Sequence, residues 1–276
     1  FGLDPTGEYI AKAAECAEKI FELDPHSSRG YLLLGMVRFS SGELRAALAP
    51  FERSLDTSPA DPDALLLLGY LCALRGQNER AAQLFDECLD VDPLTPVNHC
   101  MPGFVAVMEG RYADALPYYR RFLEMDPKNP FAIWTWSYIL LRNGRIDEAS
   151  EAVRELSSEH AGSFLAQLGT ALFHGVCAEP EAAQQAVTDE LRAAARNSEL
   201  LSRELTHCLA LCGETEDALN WLENTVRIGN INYPFWSQHD TWVDSIRSDS
   251  RFDAIMRVVK REWLSTTSVG YPASAA

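Results

Sequence analysis

The stretch PADPDALLLLGYLCALRGQNERAAQLFDECLDVDP, from Pro59 to Pro93, decides the fold. It reads as a proline, an apolar helix around Leu68-Gly69, a glycine at Gly76, a second helix carrying Ala81 and Phe85, and another proline. Working outward, the same letters return 34 residues away on either side: Pro25, Pro59, Pro93 and Pro127; Gly35, Gly69 and Gly103; Gly42, Gly76, Gly110 and Gly144; Ala47, Ala81, Ala115 and Ala149. Such a period marks stacked units, each a helical pair that buries its apolar face only against its neighbours. The expected fold is all-α, a right-handed superhelical solenoid forming one continuous domain.

The 276 residues, 47% of them hydrophobic, supply ample core. A formal charge of −16 disfavours nucleic acid, whose phosphates need a Lys/Arg surface, and suits an apolar or basic partner, although it also serves solubility. Seven cysteines, mostly inside apolar helical patterns, read as small core residues in a reducing, cytoplasmic setting. The longest apolar run, Ala64 to Leu74, is too short to span a bilayer, so no membrane segment is expected here. Phe1 reads as a cut point in a longer polypeptide.

The chain divides into a half-unit (1–27) with one helix from Thr6 to Leu23; four full units (28–61, 62–95, 96–129 and 130–163); two degenerate units (164–230); a C-terminal cap (231–264); and a frayed tail (265–276). The four units resemble the tetratricopeptide repeat, whose marks are a large residue at position 4, Leu-Gly at 7 and 8, Ala at 20, an aromatic at 24 and Pro at 32. The first unit carries Tyr31, Leu34, Gly35, Ala47, Phe51 and Pro59; the second Leu65, Leu68, Gly69, Ala81, Phe85 and Pro93. The third keeps Gly103, Ala115, Tyr119 and Pro127 but holds Pro102 in its first helix, where a kink is expected. The fourth keeps Gly144 and Ala149, has Trp136-Ser137 for Leu-Gly, and lacks the closing proline. In the cap, Ser250 with Asp253 reads as a capping box for a helix over 251–264.

The whole chain also resembles C-terminal tetratricopeptide segments of multidomain bacterial signalling proteins: eukaryotic-like serine/threonine kinases, cyclase-type regulators and winged-helix regulators. Phe1-Gly2-Leu3-Asp4-Pro5, Asp92-Pro93-Leu94-Thr95-Pro96 and Asn232-Tyr233-Pro234-Phe235 through Arg251-Phe252 carry this likeness. It implies an accessory, partner-binding module beside an enzyme; it carries over no catalytic residue, so this segment itself is not expected to be an enzyme. No phosphate loop, zinc helix or nucleophile elbow is present in the sequence. His207, Cys208 and Cys212 share a helix face, but they lack zinc-ribbon spacing and their neighbours read as core, so neither metal nor cofactor is expected.

The repeat resemblance places positions 2, 5, 9, 12 and 13 of the first helices on the concave face. These are Arg29, Leu32, Met36 and Phe39; Leu66, Tyr70 and Leu74; Cys100, Phe104 and Met108; and Phe131, Trp134, Tyr138 and Arg142. An aromatic, Met-rich floor suits a peptide or helix laid along the groove. The other reading is that these residues pack on neighbouring helices or on the chain's own C-terminal segment. With Leu33, Leu67, Met101 and Thr135 at position 6, the carboxylate clamp of chaperone-binding relatives is missing. Self-association through the truncated N-terminal face, giving a homodimer, is the alternative function; an all-α enzyme ranks below it.

Overall fold

The computed structural model describes residues 8–267, and all regular structure among them is helical. Helix α1 (Glu8–Leu23) precedes the pairs α2/α3 (Ser28–Ser40, Leu44–Thr57) and α4/α5 (Pro62–Leu74, Asn78–Val91). In the third unit a 3-10 turn (Pro96–Cys100) leads into α6 (Met101–Met108), which pairs with α7 (Tyr112–Met125); α8/α9 (Pro130–Arg142, Ile146–Glu159) form the fourth. Then come α10 (Phe164–Val176), α11 (Pro180–Ala186), α12 (Asp189–Ala195), α13 (Glu199–Leu211), α14 (Thr215–Ile228) and α15 (Ser250–Thr267). The result is a superhelical solenoid. The Phe1–Pro5 motif and the tail beyond Thr267 lie outside the described residues.

The Pro59–Pro93 unit shows why these letters make a helical pair. Asp61 starts α4 by accepting a hydrogen bond from the Ala64 amide, with Pro62 at the first turn where its missing N–H costs nothing. Gly76 ends the helix at φ +72°, a conformation that disfavours any residue with a Cβ. At the crossing, a Cβ on Gly69 would stand 2.6 Å from Phe85 Cε1, and one on Gly35 would stand 2.5 Å from Phe51 Cε1. Glycine at position 8 is therefore the socket for the aromatic at position 24. Ala47, Ala81, Ala115 and Ala149 are fully buried at the same crossings.

Three local expectations are corrected. Pro102 does not kink a continuous helix: the 3-10 turn ends at Cys100 and α6 begins at Met101, so the proline falls in a first turn, where no intrahelical donor is lost. The second helix of the first degenerate unit is broken in two, α12 restarting where Thr188 caps Leu191 N. The last helix is capped by Asp249, which accepts from Arg251 N, while Ser250 already lies inside the helix; α15 then runs to Thr267, past the expected end at Leu264.

The segment after α14 does more than cover the last repeat. It returns across the ends of the early first helices. Ile231 N donates to Leu74 O, Asn232 Nδ2 donates to Ala73 O, and Tyr112 donates to His239 O. Arg45 of α3 reaches Glu262 of α15 and the carbonyls of Val226 and Arg227. The solenoid is thus closed on itself by its own C-terminal segment.

Candidate binding site on the concave face

The superhelix turns far enough that α13 faces α4, α6 and α8 across the axis. Between them lies a cavity of about 190 Å³. One wall is a ladder of rings from successive units: Phe39 against Tyr70 with centroids 5.9 Å apart, and Tyr70 stacked on Phe104 at 4.9 Å. The other is the inner face of α8, where Phe131, Trp134 and Tyr138 stack at 5.8 and 5.6 Å. Cys100, Leu67, Met101 and Thr135 complete the interior. Met36, Ser40 and Asn197 are exposed at the mouth, with Leu165, Ser198 and Leu200 half-buried beside them.

The roof carries charge. Glu199 accepts from Tyr70 OH (2.8 Å), Arg203 Nε (2.9 Å) and Asn230 Nδ2 (2.7 Å). Arg203 also binds Glu204, whose second oxygen meets His207 Nδ1 at 3.0 Å. His207 Nε2 lies 2.7 Å from Asp240, and Asp240 holds Arg142 at 2.7 Å. These six ionisable side chains are all buried. Three carboxylates face two guanidiniums, so a protonated His207 brings the chain of charges to neutrality.

Burial alone would depress the His207 pKa, but Asp240 and Glu204, one against each ring nitrogen, outweigh it and raise the value above 6.5. Burial likewise would raise Asp240, and the adjacent Arg142 and His207 reverse it, holding the carboxyl well below its usual range. Glu204 is lowered by Arg203 and His207 against the same burial cost. Burial and the Glu199 charge push the Tyr70 phenol well above 10. The network ties the cavity roof to the C-terminal segment.

The expected groove residues separate into two groups. Met36, Phe39, Tyr70, Cys100, Phe104, Phe131, Trp134 and Tyr138 converge on the cavity. Arg29 instead sits outside it, paired with Asp61, and Leu32 is core. Leu66 is half-buried away from the cavity, while Leu74 and Met108 are fully buried. Arg142 is consumed by Asp240, lies over the Trp242 ring and donates to Tyr138 OH. In place of a long groove the structure shows a cavity open beside Met36, because α13 and the returning segment occupy the rest of the concave face. His207 and Cys208 are buried in α13, with both His207 nitrogens facing carboxylates. Glu199, Arg203, Glu204 and Asp240 escaped the sequence reading. The one available signal was the run Glu199, Ser202, Arg203, Glu204, Thr206 and His207 inside a helix whose apolar letters mark it as core.

This architecture is that of a helical-repeat interaction protein. Models of the tetratricopeptide repeat match residues 10–62, 32–94 and 106–171, and the chain belongs to that family. Its members generally act as protein-interaction scaffolds. Among solved structures, a chain of the APC/C hetero-tetramer Cut9–Hcn1 superposes with TM-score 0.57 at 14% identity, over 98% of this chain and 55% of that one. A tetratricopeptide repeat protein from Parabacteroides merdae gives 0.54 at 15% identity, over 91% and 92% of the two chains. A thermophilic tetratricopeptide repeat protein of Thermus thermophilus gives 0.52 at 16%, over 72% and 100%. At such identities the likeness concerns the fold. No curated protein matches in sequence. Among the described residues, no helix is long and apolar enough to cross a membrane.

Proposed function

We propose that the chain is an interaction scaffold that grips a partner peptide by one side chain inserted into the concave cavity, as an accessory module of a larger bacterial signalling protein. The observation that carries this is the cavity itself: aromatic walls contributed by several units, beneath a roof whose charges are paired, and opening at exposed Met36. Buried apolar area at a concave site is what anchors a peptide, and the backbone outside the mouth is left to a surface whose net charge of −16 suits a neutral or basic partner. A helix laid along the groove does not fit, since α13 already lies there. The signalling context is supported by the sequence resemblance described above.

The test is selection of a random twelve-residue peptide library on the intact chain, followed by affinities to Met36→Glu. Met36 is exposed, so this variant should melt like the parent and lose binding at least tenfold. Selected peptides that bind both proteins equally would place the partner site elsewhere. A second reading, self-association through α1, is favoured by exposed Tyr9 and Leu23 on that end helix. Light scattering across a hundredfold dilution decides it: a constant monomer mass rules the dimer out.

A further inference from the structure

The cavity's volume, walls and charge balance narrow what enters it. An apolar protein cavity of about 150 Å³ takes up one benzene molecule, so about 190 Å³ has room for a single ring with a small substituent and not for two. The walls are two aromatic ladders, Phe39–Tyr70–Phe104 and Phe131–Trp134–Tyr138. Rings gain from edge and offset contacts with other rings beyond the area they bury. The charged residues lining the cavity, Glu199 and Arg203, are bonded to each other, and the Glu199 carboxylate is further satisfied by Tyr70 and Asn230. Trp134 Nε1, a buried donor without a hydrogen-bond partner in the wall, is neutral, so neither an entering carboxylate nor an entering ammonium meets an uncompensated charge to offset its lost hydration.

We infer that the cavity selects one uncharged aromatic side chain, phenylalanine or tyrosine, of the partner peptide, admitted between Met36 and Asn197. This rests on the reading that the cavity holds a peptide. The proposed source is a side chain because the mouth is open to a chain lying outside it, and free aromatic compounds serve as probes of the same chemistry.

Two measurements on the intact chain test it together. In the first, calorimetry with toluene, p-cresol, benzoate and benzylamine reads the cavity chemistry. Toluene and p-cresol are expected to bind, with benzoate and benzylamine at least tenfold weaker; equal binding of the charged rings, or no binding of toluene, overturns the inference. In the second, each library-selected peptide has its aromatic residue replaced. Loss of roughly two- to twelvefold with leucine and far more with alanine or lysine is expected, with toluene displacing the peptide. Peptides that bind through the Met36 mouth yet carry aliphatic or basic anchors overturn the inference and leave the scaffold reading standing. Toluene binding with no peptide binding removes that reading, and the peptide source with it. Leu200→Trp, which narrows the mouth, should abolish both signals. If it unfolds by circular dichroism, the toluene–peptide competition still decides the case.

Discussion

Arg142 Nη1 lies 2.7 Å from Asp240 Oδ1, across 98 residues of sequence, with both side chains excluded from solvent. The contact joins the last residue of α8 to the segment that returns over the concave face. Because His207 of α13 binds the second oxygen of the same carboxylate, one aspartate locks three separate parts of the solenoid together. The cavity roof inherits its position from that lock, since Glu204 and Arg203 continue the chain of charges to Glu199 and Tyr70.

Replacing Asp240 by asparagine leaves the buried Arg142 guanidinium without its carboxylate and His207 with Glu204 alone. The expected loss is about 3–5 kcal/mol in urea unfolding, the usual result of breaking a buried ion pair from one side. Arg142→Met combined with Asp240→Leu should cost less than the two single changes summed, because the pair is removed together. Strict additivity in that cycle would show that the two side chains do not depend on each other.

Gly76 and Gly144 end equivalent helices at φ +72° and +69°, yet their surroundings differ. A Cβ on Gly76 would lie 2.6 Å from Trp263 Nε1 of α15, whereas one on Gly144 meets nothing within 4 Å. Gly144→Ala should therefore cost only the left-handed strain, about 1–2 kcal/mol. Gly76→Ala should cost more and also loosen α15. Hydrogen exchange over residues 250–267 checks this: faster exchange in Gly76→Ala alone is expected, and identical protection in both variants would contradict it.

The repeat core was legible because its rules are local and periodic. Gly69 and Phe85, like Gly35 and Phe51, meet at a fixed spacing inside one unit, so the letters alone announce the crossing. The aromatic residues of the cavity were legible for the same reason, being every unit's inward positions. The closure was not. His207 pairs with Asp240 33 residues on, and Arg142 with Asp240 98 residues on, through contacts with no repeating register. Nor does a linear pattern tell how far a superhelix turns, and that turn is what places α13 opposite Tyr70 and converts an open groove into a cavity.

Thiol labelling gives an independent check of the packing. Cys16 is exposed, Cys72, Cys88, Cys100 and Cys208 are buried, and Cys177 and Cys212 lie between. Burial pushes the Cys72 and Cys88 thiols up to about 11, which starves them of reactive thiolate. At neutral pH a maleimide should modify Cys16 first, and all seven cysteines only after denaturation; the order is read by mass spectrometry of digests. Early modification of Cys72 or Cys208 would contradict the closed core.

The charge network also sets the pH dependence of stability. Asp240 and Glu204 have folded values below their unfolded ones, so their contribution is complete above the ordinary carboxylate range and is lost as pH falls through the depressed folded values. His207 has a folded value above 6.5, so its contribution is complete below 6.5 and is lost as pH rises through the raised value. Stability should peak in the mildly acidic window between these limits and decline on the alkaline side. His207→Gln removes the group that titrates there, and the alkaline decline should flatten while the acid limb persists. Urea midpoints from pH 2 to 9 for both proteins make the comparison. An unchanged alkaline limb in the variant would assign that titration to another group and leave His207 neutral between its two carboxylates.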